Sequence, residues 1–367
     1  MLNITKILED VKYKQIDTPP FEPYIIYEAN DITAAILREN AIKPICICDD
    51  TALAAGKHFN GYTILSLEEA LNKYEDINIY IASVNNYCEI RNHISKCVNK
   101  VKIIEHCSNH IKLNDSITDR YIDFFKSNED RINTIYEMLS DERSRLILLN
   151  LIKGFASKKS HYFSEITSPD QYFPDVVKLS SNEVFIDGGA YMGDTIEKFK
   201  KKVNNEYTAI HSFEPTEKSF KILSKIKKMY FNNDPKIFIY KFGLSDKNDK
   251  AYFLTHNEQD TFSSAGNRVV LTQTNITIDV VRLDDLIKDE VTYIKLDVEG
   301  SELEALKGAK DIICKYKPKL AVCVYHNIED IYNIPKYIYE LGLPYKYYLR
   351  HHGREPNLQD ETVFYAI

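Results

Sequence analysis

The chain is expected to fold as an α/β protein: a mostly parallel seven-stranded sheet, preceded by a smaller α/β unit and a helical connector. Three observations predict this. From residue 184 onward, apolar runs of strand length alternate with helical patterns. The run at 184–187 leads straight into a glycine-rich turn, Asp187-Gly188-Gly189-Ala190-Tyr191-Met192-Gly193-Asp194, followed by an amphipathic stretch at 195–203. The last two runs, 345–350 and 362–366, have no helical pattern between them, only polar residues and Pro356. They therefore read as an antiparallel pair at the sheet edge.

A length of 367 residues fits two domains, or one large domain with an extension. With 44% hydrophobic and 28% charged residues the composition is that of an ordinary globular protein. A net charge of −7 argues against tight non-specific binding to nucleic acid. No apolar run approaches the ~20 residues a membrane span needs. The first thirteen residues alternate charged and apolar types and do not resemble a secretory signal. Seven scattered cysteines, Cys46, Cys48, Cys88, Cys97, Cys107, Cys314 and Cys323, form no C-x-x-C pair, so buried reduced thiols are expected. A cytoplasmic protein is the resulting expectation.

Residues 1–112 read as a small Rossmann-like α/β unit. Short apolar runs at 24–27, 45–48, 79–82 and 101–104 alternate with helical patterns at 33–39, 67–74 and 88–98. No glycine-rich phosphate turn follows any of these runs. Asp49 and Asp50 after the second run read as a cap, with a polar ligand site as the other option. Docking, homo-oligomerisation or carriage of a substrate is the expected role. Residues 113–175 read as mostly helical, with patterns at 115–125 and 132–153, and end in an aromatic loop containing Gln171, Tyr172, Phe173 and Pro174. This loop is expected to act as a lid or as an apolar plug against the sheet.

In the main unit, 176–367, strands are expected at 184–187, 209–214, 237–242, 292–297, 319–325, 345–350 and 362–366. Helices are expected at 194–203, 216–229, 301–315 and 328–341, with an insertion at 249–285 that carries two β-like runs. Five parallel strands closed by an antiparallel pair match the seven-stranded class I methyltransferase sheet better than a dehydrogenase sheet. Ligands of such open sheets sit at the carboxyl ends of the strands.

The chemistry is expected at those ends. Gly188, Gly189 and Gly193 allow close backbone approach of a ligand, with Asp194 and Thr195 opening the helix behind them. Glu214-Pro215 ends the second strand, 26 residues after the first glycine, near the ~20 expected for an acid that binds ribose hydroxyls. Gly243, Leu244, Ser245 and Asp246 end the third strand and are placed to frame an adenine. The fourth strand reads Tyr293-Ile294-Lys295-Leu296-Asp297-Val298-Glu299-Gly300. A lysine in so buried a strand needs a partner, expected in Asp297, Glu299 or Glu302. His326-Asn327 ends the fifth strand, and that histidine is a candidate general base. For each of these groups a structural role, as turn, cap or satisfied buried acid, is the alternative.

Taken together, Asp187 to Gly193, Phe213-Glu214-Pro215, Gly243 to Asp246, Asp284-Asp285-Leu286, Ile294 to Gly300 with Ser301-Glu302, Leu306 to Ala309 and Glu361 to Ala366 resemble the FkbM-type methyltransferases. The resemblance covers about 165–367 and leaves the first unit outside. It implies S-adenosylmethionine as cofactor and methyl transfer, commonly to a hydroxyl of a sugar, glycan or other natural product. Asp187, Gly188, Gly189, Ala190, Tyr191, Gly193, Asp194, Thr195, Glu214, Pro215, Gly243, Leu244, Ser245, Asp246, Asp297 and Tyr172 are the expected cofactor residues. Asp297, His326 and Glu299 are the expected catalytic residues, His326 as base and Glu299 orienting Lys295 or a substrate hydroxyl. Tyr172 or Tyr191 is expected to turn a ring face to the sulfonium. Arg350, His351 and His352 suggest an anionic or polyhydroxylated acceptor, with a solvated edge as the alternative. No metal is expected, although Asp297, His326 and Asn327 offer a conceivable Mg²⁺ perch. A nicotinamide-dependent oxidoreductase and a non-catalytic carbohydrate-pathway scaffold are the competing readings. Against the first, the loop lacks G-x-G-x-x-G spacing.

Overall fold

The computed structural model describes residues 2–10, 23–29, 33–34, 37, 43–50, 56–74, 77–82, 90, 93–94, 96–97, 103–105, 115–157, 161–254, 268–270, 277–354 and 357–367. Strands β1 (Tyr24–Tyr27), β2 (Ile47–Cys48), β3 (His58–Phe59), β4 (Tyr62–Leu65), β5 (Asn78–Ile81) and β6 (Ile103–Glu105) form one sheet in the order β3-β4-β2-β1-β5-β6. All its pairings are parallel except the β3–β4 hairpin, which the sequence pattern did not signal. The expected helix at 67–74 is present as Leu67–Lys73, started by a capping box between Ser66 and Glu69. Most of the expected helices at 33–39 and 88–98, with Cys88 and Cys107, lies outside the described residues. Asp50 does cap: it accepts from Leu67 N at 2.7 Å, and its other oxygen accepts from Tyr27 Oη at 2.8 Å. Cys46 and Cys48 face the same side, their sulfurs 4.0 Å apart. Cys97 and Cys314 are exposed, which corrects the expectation of uniformly buried thiols.

Helices Asp115–Ser127, Glu129–Met138 and Glu142–Ser157 follow. The expected single helix over 132–153 is two, because Leu139 leaves the helix to bridge Tyr347 and Ser140 N donates to Tyr347 O at 2.8 Å. Asp141 then caps the next helix through Ser144 N. These helices share an apolar core with one face of the main sheet.

That sheet contains β7 (Val184–Gly188), β8 (Ala209–Phe213), β9 (Ile237–Tyr240), β14 (Tyr293–Leu296), β15 (Lys319–Cys323), β16 (Tyr347–His351) and β17 (Thr362–Ala366). Its order is β16-β17-β15-β14-β7-β8-β9, parallel throughout except β17, which runs antiparallel to both β15 and β16. The seven expected strands and the antiparallel pair are all present. A side sheet of β10 (Gly243–Leu244), β11 (Asp249–Leu254), β12 (Arg268–Val270) and β13 (Thr277–Val281) fills the described part of the insertion. The helix expected at 301–315 is broken into Glu302–Lys307 and Lys310–Tyr316. A Cβ on Gly308 would lie 1.9 Å from Ser245 O, so the chain turns there against the end of β10.

Arg350, His351 and His352 are buried and structural. Arg350 donates to Asp141 Oδ2 at 2.7 Å and Ser144 Oγ at 2.9 Å. His351 bonds Thr362 Oγ1 and Leu358 O, and His352 bonds Ser168 O and Tyr365 Oη. The expectation that these three residues greet an acceptor is thereby corrected: they tie the connector and the edge hairpin together.

Candidate active site

The carboxyl ends of β7, β8, β14 and β15 open onto one cavity of about 560 Å³. Of these, β7, β8 and β14 are buried along their whole length, so the first positions able to face a ligand are the residues just past each strand. Gly189 is one such position. Its φ is +78°, and a Cβ there would lie 1.8 Å from Asp297 O. Gly189 N and Ala190 N donate to Phe213 O, which pins the turn to β8. Gly193, at φ +88°, starts helix Asp194–Lys202. Because both the conformation and the space exclude a side chain, Gly189→Ala is expected to lower the urea midpoint markedly. An unchanged midpoint would show that the turn and the β14 end move apart freely.

Glu214 is buried and fixed by the loop it faces. Its Oε2 accepts from Tyr191 N at 3.1 Å and its Oε1 from Thr216 N at 2.9 Å. Burial raises its pKa, against the hydrogen bonds from Thr216 and Tyr191 that favour the carboxylate. Beyond it the cavity wall turns apolar, with Pro215, Phe242, Gly243, Leu244 and Ile278.

At the centre, Lys295 is 1% exposed and its Nζ lies 3.2 Å from Oδ1 of Asp187, itself fully buried. The ammonium also donates to Gly188 O at 2.9 Å and Gly189 O at 2.8 Å. Burial pushes its pKa down, but the charges of Asp187 and Asp297 outweigh that and hold it charged. The direct ion-pair partner is thus Asp187, which corrects the expectation of Asp297, Glu299 or Glu302. The cation sits 5.1 Å from the Tyr172 ring centre, so Lys295 already lies against the ring that was expected to face a sulfonium.

Asp297 accepts from Tyr172 Oη at 2.6 Å and from Tyr325 Oη at 3.3 Å. Burial opposes its ionisation, yet the charges of Lys295 and His326 outweigh burial and bring its pKa below the usual carboxylate value. His326 lies between three carboxylates: 3.0 Å from Glu302, 3.5 Å from Asp297 and 3.5 Å from Glu299. Burial lowers its pKa, but Glu302 and its neighbours outweigh burial and raise it to about 10. The ring is therefore protonated at neutral pH.

Of the expected site residues, Tyr172, Gly189, Tyr191, Asp194, Thr195, Glu214, Pro215, Gly243, Leu244, Asp297, Glu299 and His326 line the cavity. Asp187, Gly188, Ala190 and Gly193 lie behind it, as ion-pair partner and turn backbone. Ser245 and Asp246 are not among its lining residues: Ser245 O packs on Gly308, and Asp246 is exposed. Glu299 faces His326 rather than Lys295. Glu361, Gln171, Tyr325 and Asp360 line the cavity without having been expected there. Glu361 stands just before β17, and burial with the Asp297 charge raises its pKa to about 7. Its φ is +67°, and Tyr172, Tyr191 and Glu299 also have positive φ. Non-glycine residues held this way cost about 1–3 kcal/mol each and cluster at functional sites. The signal for Glu361 was its place at a strand terminus, but its strand runs antiparallel and meets the cavity at its amino end, whereas the strand-end rule points to carboxyl ends.

Residues 187–347 match the family model described as the methyltransferase FkbM domain. Over that stretch the chain is similar to FkbM methyltransferase domains. A solved methyltransferase FkbM from Methylobacillus flagellatus KT aligns over 100% of this chain and 94% of its own, at 20% identity and a TM-score of 0.60. That identity shows a shared fold. An Aeropyrum pernix fibrillarin in complex with S-adenosyl-L-methionine aligns over 54% of this chain and 72% of its own, at 12% identity and TM-score 0.34. An rRNA methylase from Streptococcus thermophilus aligns over 56% and 91%, at 11% identity and TM-score 0.31. The last two scores are too low to carry an argument. No curated protein matches the chain. The FkbM match begins at Asp187, after the β7 residues that precede the glycine turn, and ends at Tyr347, before most of the edge hairpin. Among the described residues no helix is long and apolar enough to cross a membrane.

Proposed function

We propose that the chain transfers a methyl group from S-adenosylmethionine to a hydroxyl of a sugar, glycan or other natural product. The observation that carries this reading is one cavity that joins a glycine turn and Glu214 at one end to Asp297, His326 and Glu361 at the other. The residues present fit such a cofactor. Glu214 keeps acceptor capacity for a ribose hydroxyl, the turn leaves room for a close approach, and the wall beyond is apolar enough for an adenine. Six carboxylates line the cavity, Asp194, Glu214, Asp297, Glu299, Asp360 and Glu361, against Lys295 and His326. That balance suits a ligand bearing a positive charge.

When bound, S-adenosylmethionine supplies a methyl group on a cationic sulfur, which an acceptor oxygen displaces to leave a neutral thioether. Holding the acceptor in line is the main task of the protein, worth about 7–11 kcal/mol. Asp297, anchored by Tyr172 and Tyr325, orients the acceptor hydroxyl. A protonated His326 cannot take the hydroxyl proton, so it serves to hold Asp297 and Glu299 in place. Glu361, with a pKa near operating pH, is the better base. Since the carboxylate is the active form, kcat/KM is expected to rise as pH increases through about 7 and then level off. Glu361→Gln is expected to remove that limb together with ~10²–10⁴-fold in kcat. A limb that persists in the variant would assign the base elsewhere.

The reading itself is tested by calorimetric titration with S-adenosylmethionine, S-adenosylhomocysteine and NAD. Saturable binding of the sulfur nucleotides alone supports it and justifies an acceptor screen among sugars and glycans. Binding of NAD alone would revive the oxidoreductase. Cofactor binding without turnover on any hydroxylated acceptor would favour a scaffold.

A further inference from the structure

One group of side chains in this cavity is arranged for more than orienting a hydroxyl. His326 Nε2 lies 3.5 Å from Asp297 Oδ1 and 3.5 Å from Glu299 Oε2. Across the ring, Nδ1 lies 3.0 Å from Glu302 Oε1. The His326 side chain is 10% exposed and that of Glu302 fully buried. Among the described residues neither ring nitrogen finds a hydrogen bond of acceptable geometry, and Glu302 Oε2 finds none. Contacts of 3.5 Å are long for N–H···O hydrogen bonds. Donors around a cation held at about 2.0–2.2 Å stand roughly 3 Å apart, and each carboxylate oxygen is 3.5 Å from Nε2.

We propose that Asp297 Oδ1, Glu299 Oε2 and His326 Nε2 bind one divalent cation, Mg²⁺ or Mn²⁺, on the acceptor side of the cavity. Two carboxylate oxygens and one imidazole form a donor set suited to these hard ions. Glu302 is the outer partner. With Oε1 3.0 Å from Nδ1, its charge favours keeping the proton on that nitrogen. The ion displaces the Nε2 proton to solvent, and Glu302 then stands where the outer partner of most metal-bound histidines stands. Glu302 is itself held, with Oε1 accepting from Val298 N at 2.7 Å. Asp297 and Glu299 follow β14 and His326 follows β15, so adjacent parallel strands set their spacing. Lys295 does not compete for these oxygens, because its ammonium is committed to Asp187 and two backbone carbonyls. All three donor residues line the cavity, so the open coordination positions face the space an acceptor occupies. What the ion does there rests on the methyl-transfer reading: it orients an acceptor hydroxyl and lowers its pKa.

The test is a titration of chelator-stripped full-length protein with MnCl₂ in the absence of any nucleotide, with free Mn²⁺ followed by its electron paramagnetic resonance signal. One saturable site per chain, competed by MgCl₂, is expected. Glu302→Gln is expected to weaken it ~10–100-fold. Glu299→Gln is expected to abolish saturable binding, its urea transition serving as the check on folding. Absence of a saturable site in the wild type, or a site unchanged in both variants, overturns the proposal. S-adenosylhomocysteine binding, measured without metal, fails or succeeds separately. Nucleotide binding without a Mn²⁺ site removes the cation alone, and a Mn²⁺ site without nucleotide binding removes the cofactor reading.

Discussion

Lys295→Met is expected to destabilise the protein by about 3–5 kcal/mol, read as a fall in urea midpoint at constant slope. The substitution keeps the volume but strips the counter-charge from Asp187, which is fully buried and has, among the described residues, no donor apart from that ammonium. It also frees the carbonyls of Gly188 and Gly189, both of which accept from Nζ. Most of the loss comes from the stranded carboxylate rather than from the pair's own attraction, because a buried ion pair does little better than a well-packed apolar one. The double variant Lys295→Met with Asp187→Asn should therefore recover much of the loss. If the single variant lay within about 1 kcal/mol of wild type, water would have to reach Asp187, and the central strands would not be dry.

Glu214→Ala is expected to weaken S-adenosylhomocysteine binding by about 10–10²-fold. Thr216 Oγ1 also donates to Oε1, so Oε2 keeps room for one ribose hydroxyl. Such a bond to a carboxylate is worth about 1.5–3 kcal/mol, and about 1.4 kcal/mol corresponds to tenfold. The same carboxylate accepts from Tyr191 N and Thr216 N, so its removal also loosens the glycine turn and the start of helix Glu217–Met229. The two effects separate when the urea midpoint is measured alongside the calorimetric affinity. Weakened binding at an unchanged midpoint assigns the loss to the ribose contact. Affinity unchanged in the variant would overturn the placement of the cofactor at this end of the cavity.

The β7 turn, the acid after β8 and the Lys-Leu-Asp-Val-Glu-Gly run after Ile294 were legible because their meaning is local. Glycine at positive φ, an acid at a strand end and an unbroken apolar strand each declare themselves within a few residues. The partner of Lys295 was not legible. Asp187 is distant in sequence, and only the parallel register of β14 on β7, with Lys295 opposite Asp187, brings them together. The same holds for Arg350 and Asp141, whose bond decides that the basic run at the end of β16 is structural. The breaks in two expected helices likewise come from tertiary contacts, Leu139 against Tyr347 and Gly308 against Ser245.

By itself, then, the sequence determined the α/β class, the seven strands, the antiparallel edge and part of the cavity lining. Periodicity and strand-end chemistry encode these over short spans of chain. Only the tertiary structure decided the charge states. His326 reads as a base when seen alone and as an imidazolium once Glu302, Asp297 and Glu299 surround it. Glu361 reads as an ordinary acid before a strand and as a group titrating near neutrality once buried beside Asp297. A pKa depends on burial and on charges a few ångströms away, and residues far apart in sequence supply both.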